Sequence, residues 1–177
     1  NLNELNIKGI LDLSKFTQLE ELECQQNEIT QIINLPETLK ELNCESNNIN
    51  SFQNLPQNLQ VLYCRHNKLK SLDNLPASLI LLDCSFNKNI KLLDYLPANL
   101  FRLECHFCDL QNINCLPVNL KQLNCQENKN LVLEGIPPKL EALLCTQIPI
   151  DAPENCNITL IWSRDEPINE KELKDKY

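Results

Sequence analysis

The sequence predicts a solenoid of stacked parallel β-strands, and three periodic residues predict it. Cysteines fall at Cys24, Cys44, Cys64, Cys84, Cys105, Cys125 and Cys145, at spacings of 20 residues with a single spacing of 21. Prolines keep the same clock at Pro36, Pro56, Pro76, Pro97, Pro117 and Pro137, and Asn27, Asn47, Asn67, Asn87 and Asn128 each follow a cysteine by three positions. A fixed period of this length marks a unit that cannot bury its apolar face alone and must stack on its neighbours.

The repeated phrase is Leu-Pro-x-x-Leu-x-x-Leu-x-Cys, as in LPETLKELNC, LPQNLQVLYC and LPVNLKQLNC, with Ile136 opening the last copy. Together with the asparagine it completes L-x-x-L-x-L-x-x-N/C-x-L, the pattern of a leucine-rich-repeat solenoid, here with cysteine in the third apolar slot. Cys108 stands where asparagine is expected, as that pattern permits. Within a unit the strand alternates, so Leu42 and Cys44 face the core while Glu41, Asn43 and Glu45 face the concave side. The return to the next strand has about ten residues and a proline, which fixes φ and extends the preceding residue. The convex side is therefore expected to be extended, polyproline-like or one 3-10 turn, with very little α-helix. The extra residue of the 21-residue unit belongs within NKNIKLLDYLP and should bulge on the return without breaking the sheet.

The whole chain, 1–177, reads as one domain. Residues 1–18 form a degenerate N-terminal cap in which Leu2, Leu5 and Ile7 suggest a degenerate strand. Residues 19–148 are regular repeats, opened by a unit without proline (Leu19, Leu22, Cys24, Asn27, Ile29). Residues 149–163 are a degenerate last repeat in which Cys156, Thr159 and Ile161 keep the inward register, and 164–177 are a polar tail that forms a short helix after Pro167 or stays irregular. About eight strands result, plus one at the N-terminus. On this register Ile158, Leu160 and Trp162 extend the apolar concave residues Ala142 and Leu144. Such an edge calls for cover by the tail, a downstream domain or a second copy. The absence of methionine, even at position 1, reads as an excised or processed chain.

A net charge of -8 argues against nucleic acid and anionic membrane as partners, because both require clustered Lys and Arg. No apolar run approaches the roughly 18 residues of a membrane span, and NLNELNIKGI lacks the basic and apolar regions of a signal peptide.

Ten cysteines suggest a disulfide framework at first sight. Seven of them, however, share one inward slot of parallel strands about 4.8 Å apart, beyond the usual disulfide Cβ separation of about 3.5 to 4.5 Å. They read as reduced core thiols and imply a reducing compartment. Cys105, His106, Cys108 and Cys115 offer zinc-type ligands, but the register turns Cys105 and Cys108 inward, His106 outward and Cys115 onto the return, so no metal is expected. Asn157-Ile158-Thr159 matches a glycosylation acceptor, discounted because Thr159 reads as inward. With two histidines and two glycines, neither a Ser/His/Asp set nor a phosphate loop is legible, and Glu21, Glu23, Glu41 and Glu45 read as solvated charges. No catalytic residue and no cofactor are expected.

The side chains free to recognise something are those aimed at the concave face. The first column runs Glu21, Glu41, Val61, Leu81, Arg102, Gln122, Ala142; the second runs Glu23, Asn43, Tyr63, Asp83, Glu104, Asn124, Leu144; the third runs Gln25, Glu45, Arg65, Ser85, His106, Gln126, Thr146. Tyr and Arg are over-represented among interface hot spots, so Val61, Tyr63, Arg65, Leu81, Asp83, Arg102, Glu104 and His106 form the expected partner-binding patch.

Over roughly residues 19 to 163, the 20-residue units headed by LPxxL resemble the LPX subclass of leucine-rich repeats in effectors that bacterial pathogens deliver into host cells. Similar repeats also occur in proteins of amoebae and their viruses. The resemblance implies recognition of a host protein in the host-cell cytoplasm. In some members of that family a separate C-terminal E3 ubiquitin ligase domain carries a catalytic cysteine, and the tail after Trp162 has no room for one. One departure is the third apolar slot, which is more often aliphatic in the family. Three readings follow: a non-catalytic target-binding module, the substrate-recognition half of a ligase, or a structural or self-assembling scaffold.

Overall fold

The computed structural model describes residues 1–133, 135–145 and 159–162. Its strands are β1 (Lys8–Asp12), β2 (Glu21–Glu23), β3 (Glu28–Ile33), β4 (Glu41–Asn43), β5 (Val61–Tyr63) and β6 (Leu81–Asp83). They continue with β7 (Leu92–Leu93), β8 (Arg102–Glu104), β9 (Asn112–Ile113), β10 (Gln122–Asn124), β11 (Ala142–Cys145) and β12 (Thr159–Trp162). Eight of these, β2, β4, β5, β6, β8, β10, β11 and β12, pair in parallel and in chain order to make one sheet. The chain is thus a parallel-strand solenoid of about seven turns, with no helix among the described residues.

The register follows from the apolar period. Leu22, Leu42, Leu62, Leu82, Leu103, Leu123 and Leu143 lie opposite one another strand by strand, and all are buried. The seven cysteines of the third slot are buried in the same core as free thiols. On the return side, β1 pairs with β3, β7 with β9, and Asn112 bridges Val132. Each Leu-Pro-x-x-Leu phrase closes a single i→i+3 turn. The amide of Leu39 donates to Pro36 O at 3.0 Å, and Leu59, Leu79, Leu100, Leu120 and Leu140 repeat the bond to their own prolines. In the unit without proline, Leu19 donates to Phe16 O instead, at 3.2 Å.

Between the strand and the return, buried backbone polar groups are satisfied by an asparagine ladder. Asn67 Nδ2 donates to Cys64 O at 3.1 Å and to Cys44 O of the preceding turn at 3.0 Å, and its Oδ1 accepts the amide of Ile49 at 2.9 Å. Asn47 and Asn87 make the same set one turn earlier and one turn later. A buried backbone group left unpaired costs about 1–3 kcal/mol, so each asparagine fastens two turns together.

The ladder explains both the insertion and the exception. Asn87 and Ile90 are three positions apart, whereas Asn67 and Leu69 are two, and the Ile90 amide bonds to Asn87 O at 3.0 Å within its own turn. It therefore needs no oxygen from the next turn. Cys108 occupies that next slot, and its thiol donates to Cys84 O at 3.1 Å. The pairing of Leu82 with Leu103 continues across the 21-residue unit. A second turn of this kind occurs at Asn128, where the Leu131 amide bonds to Asn128 O at 3.0 Å. In the sequence the following slot is Ile148, again not asparagine.

The ends depart from the sequence expectation. Leu2, Leu5 and Ile7 form no strand; instead the amides of Leu2 and Glu4 bond to Glu23 O at 2.7 Å and Gln25 O at 3.1 Å, sealing the free edge of β2. The Ile7 amide reaches Asn27 Oδ1 just as that of Ile29 reaches Asn47 Oδ1, both at 2.9 Å, so Ile7 stands in the slot of Ile29 and Leu2 in that of Cys24. Leu5 is left exposed. The first unit is longer than the period that had been extended into it.

At the other end the last unit is shorter. Thr159 pairs with Ala142, Leu160 with Leu143, Ile161 with Leu144 and Trp162 with Cys145. The pairing is therefore one residue out from the register expected of Thr159 and Ile161: Leu160 and Trp162 are the residues set opposite Leu143 and Cys145. Ala142 and Leu144, expected on an open concave surface, are buried. The segment around Pro153 and Cys156, the Asn157-Ile158 pair and the tail from 164 lie outside the described residues.

Candidate functional site

The concave face is set by the sheet register: Val61 pairs with Leu81 and then Arg102, and Tyr63 with Asp83 and then Glu104. Val61, Tyr63, Arg65, Leu81, Arg102, Glu104 and His106 are half-buried. Asp83 departs from expectation, since only 7% of it is exposed, and Ser85 behind it is fully buried. Both are short side chains in the trough between longer ones.

These residues form a hydrogen-bonded floor. The Ser85 amide donates to Asp83 Oδ1 at 3.0 Å, and Ser85 Oγ lies 2.8 Å from His106 Nδ1. Asn124 Nδ2 is 3.2 Å from the same ring nitrogen and Glu104 Oε2 is 3.7 Å away, while Arg102 Nε donates to Glu104 Oε1 at 2.9 Å. Burial pushes the Asp83 carboxyl above the usual carboxylate range, against the lowering effect of the Ser85 bonds. Burial likewise raises the Tyr63 phenol, with Glu41 adding to it. Serine and carboxylate both approach one nitrogen of His106, whereas a nucleophile–base–acid relay needs them on opposite nitrogens. The arrangement orders a surface and does not activate Ser85.

The structure also shows an aromatic ridge that the three columns omitted. His66 stacks on Phe86 with centroids 4.1 Å apart, and Phe86 stacks on Phe107 at 4.8 Å. His106 meets Phe86 edge-on at 5.2 Å, and the Arg65 guanidinium lies 5.6 Å from the Phe86 ring centre. Burial and then Arg65 hold the His66 imidazole below its usual pKa. His66, Phe86 and Phe107 have φ of 52°, 59° and 56°, as do Gln26, Ser46 and Glu127 (φ 53° to 56°) at the same point of other turns. The fold demands this left-handed residue, which costs an L side chain about 1–2 kcal/mol; ring stacking returns about 0.5–1.5 kcal/mol. One further column, read one residue past the third, contains all of them. On the opposite margin, just before the strands, Ile80 and Phe101 are exposed.

Of the other candidates, Cys105 and Cys108 are buried and Cys115 is exposed on the return. No three His, Cys, Asp or Glu among the described residues are placed to hold a metal ion.

Inward leucines on every turn, an asparagine ladder and a sheet left open on its concave side define the leucine-rich-repeat fold. YopM from Yersinia enterocolitica WA-314 shares it at a TM-score of 0.75 and 26% identity, over 83% of this chain and 33% of that one. YopM of Yersinia pestis, described as a leucine-rich effector protein, matches at a TM-score of 0.57 and 22% identity over 90% of this chain and 58% of that one. The functional domain of InlJ from Listeria monocytogenes, which includes a cysteine ladder, matches at 0.54 and 26% identity over 87% and 45%. The chain thus spans between a third and somewhat over half of the length of these three solved chains. No protein-family model matches the sequence, and no curated protein matches it.

Proposed function

We propose that the chain is a non-catalytic protein-recognition module, the target-binding part of a bacterial effector that works in the cytoplasm of a host cell. The observation that carries this reading is the concave surface over β5, β6 and β8. Its side chains are not required by the core, yet they are ordered by mutual bonds and flanked by aromatic residues. The bacterial effectors among its structural neighbours support the host-cell setting, as do the LPxxL phrases and the buried thiols.

Replacing Tyr63 and Arg65 together by alanine tests the site. The target protein recovered from host lysate by the parent chain should bind the double variant at least about tenfold more weakly, a loss typical of hot-spot truncation. Folding stability should fall by only about 1–2 kcal/mol, because both side chains are half-buried and neither belongs to the core. Unchanged affinity would remove the patch from the interface. The reducing compartment makes a separate expectation: thiol titration of the unfolded protein without reductant should count all ten cysteines, and several missing thiols would contradict it.

A further inference from the structure

Apolar and aromatic side chains flank the centre of the concave face. Ile80 and Phe101 are exposed on one margin beside the half-buried Val61, Leu81 and Tyr63, and across the polar Arg65, Ser85 and His106 lie the stacked Phe86 and Phe107. Apolar side chains left exposed around a polar floor suit contact with another molecule. Charge selects which kind.

This centre is bordered towards the N-terminus by Glu21, Glu23 and Glu41, and the register sets Glu21 directly opposite Glu41. Like charges opposite each other in a sheet are destabilising. Elsewhere this chain meets the same problem with opposite charges on successive turns. Lys8 pairs with Glu28 at 2.8 Å, Lys40 with Glu20 and Lys121 with Glu141 at 2.6 Å, and Lys91 with Asp109. The Lys40–Glu20 and Lys121–Glu141 pairs lie in the margin column of Ile80 and Phe101, and the other two lie on the return side, so none joins the Glu21–Glu41 column. Among the described residues no cation pairs with Glu21 or Glu41, and Glu23 meets only the side-chain amides of Asn1 and Asn3. Farther along, Asp83 opposes Glu104, where Arg102 supplies a partial answer.

We propose that the occupant of the concave face is a basic protein segment, one that lays an apolar side chain on the Val61–Tyr63–Leu81 strip and Lys or Arg over Glu21 and Glu41. This rests on the recognition reading above and specifies the partner's chemistry. The fold tolerates the acidic border when empty, and the partner neutralises it when bound.

Two synthetic peptides test it, sharing one Trp-Leu core and differing only in whether lysines or glutamates precede it. The lysine peptide should bind at least about tenfold more tightly at low salt, an advantage that screening erodes. The variant Glu21→Gln with Glu41→Gln should abolish that preference. Glu28→Gln with Asp109→Asn, which removes the same charge from ion pairs elsewhere, should leave it intact. Phe86→Ala with Phe107→Ala should weaken both peptides alike. Without peptide, the Glu21/Glu41 variant should melt slightly higher at low salt, because the two carboxylates face each other on adjacent strands. Equal binding of the two peptides, equal effects of the two charge variants, or an unraised melting point would overturn the proposal. If the host target is lost on Tyr63→Ala with Arg65→Ala but is indifferent to the Glu21/Glu41 variant, only the basic-segment proposal fails; indifference to both removes the concave site as well.

Discussion

Raising the pH of the reduced protein from about 8 to about 10 is expected to unfold it, with loss of the far-ultraviolet circular dichroism of the sheet. Burial pushes the thiols of Cys44, Cys64 and Cys105 well above their ordinary pKa, and Cys24 up to about 12. Cys125 is raised by burial too, and Cys84 by a side-chain hydrogen bond with the Cys108 thiol and then by burial. Below the ordinary thiol pKa both states are neutral and the stabilisation is complete. Above it the unfolded chain releases protons that the folded chain retains, so stability falls until the folded pKa is reached. With an unfolded value near 8.5, each thiol costs about 2 kcal/mol by pH 10, and six cost about 12 kcal/mol, as much as a whole domain commonly has. Cys64→Val removes one ionising group and keeps the apolar volume. It should move the alkaline midpoint upward; a midpoint that does not respond would assign the transition to other groups.

Asn87→Ala should be among the most damaging single changes, costing about 3 kcal/mol. It strips a bond from Cys64 O at 3.0 Å and Cys84 O at 2.9 Å and leaves the Leu69 amide without its acceptor at 3.0 Å, all out of reach of water. At this chain length the melting temperature should drop by roughly 6–12 °C. Asn87→Asp should be no milder, since it sets a carboxylate oxygen against those two carbonyls. Cys108→Asn, by contrast, should change stability by less than about 1 kcal/mol. Its amide nitrogen gains acceptors, but its oxygen finds no donor, because the Ile90 amide is already satisfied. Only with one residue deleted between Asn87 and Ile90 should asparagine at 108 stabilise, a non-additivity that a double-mutant cycle would register. Additive effects would mean that the loop and the slot are independent.

The regular part of the fold is legible because stacking turns a sequence period into a spatial neighbour. Once Cys44 lies 20 residues from Cys64, the pairing of Leu42 with Leu62 and of Asn43 with Tyr63 follows. The same logic fails at the ends, where a unit of different length has only one neighbour to hold it in register. Leu2 and Leu160 therefore fell into slots that the period assigned to other residues. Within the site, the period located Tyr63, Arg65, Arg102 and His106 but not the depth of Asp83 and Ser85, which depends on the size of the side chains beside them. The ridge of His66, Phe86 and Phe107 was periodic and readable, but it occupies a left-handed position that strand alternation does not reach.

The link between the turn at Asn87–Ile90 and the residue at 108 bears on how such a protein can be lengthened, shortened or recombined. To the eye the repeat begins at its proline, and a block cut there would separate an enlarged loop from the slot that answers it. The block that can be duplicated or transplanted intact starts just after one ladder residue and ends on the next, as Lys88 through Cys108 does. Copies spliced at the proline bring either an asparagine oxygen with no donor or a buried amide with no acceptor, a penalty repeated at every junction.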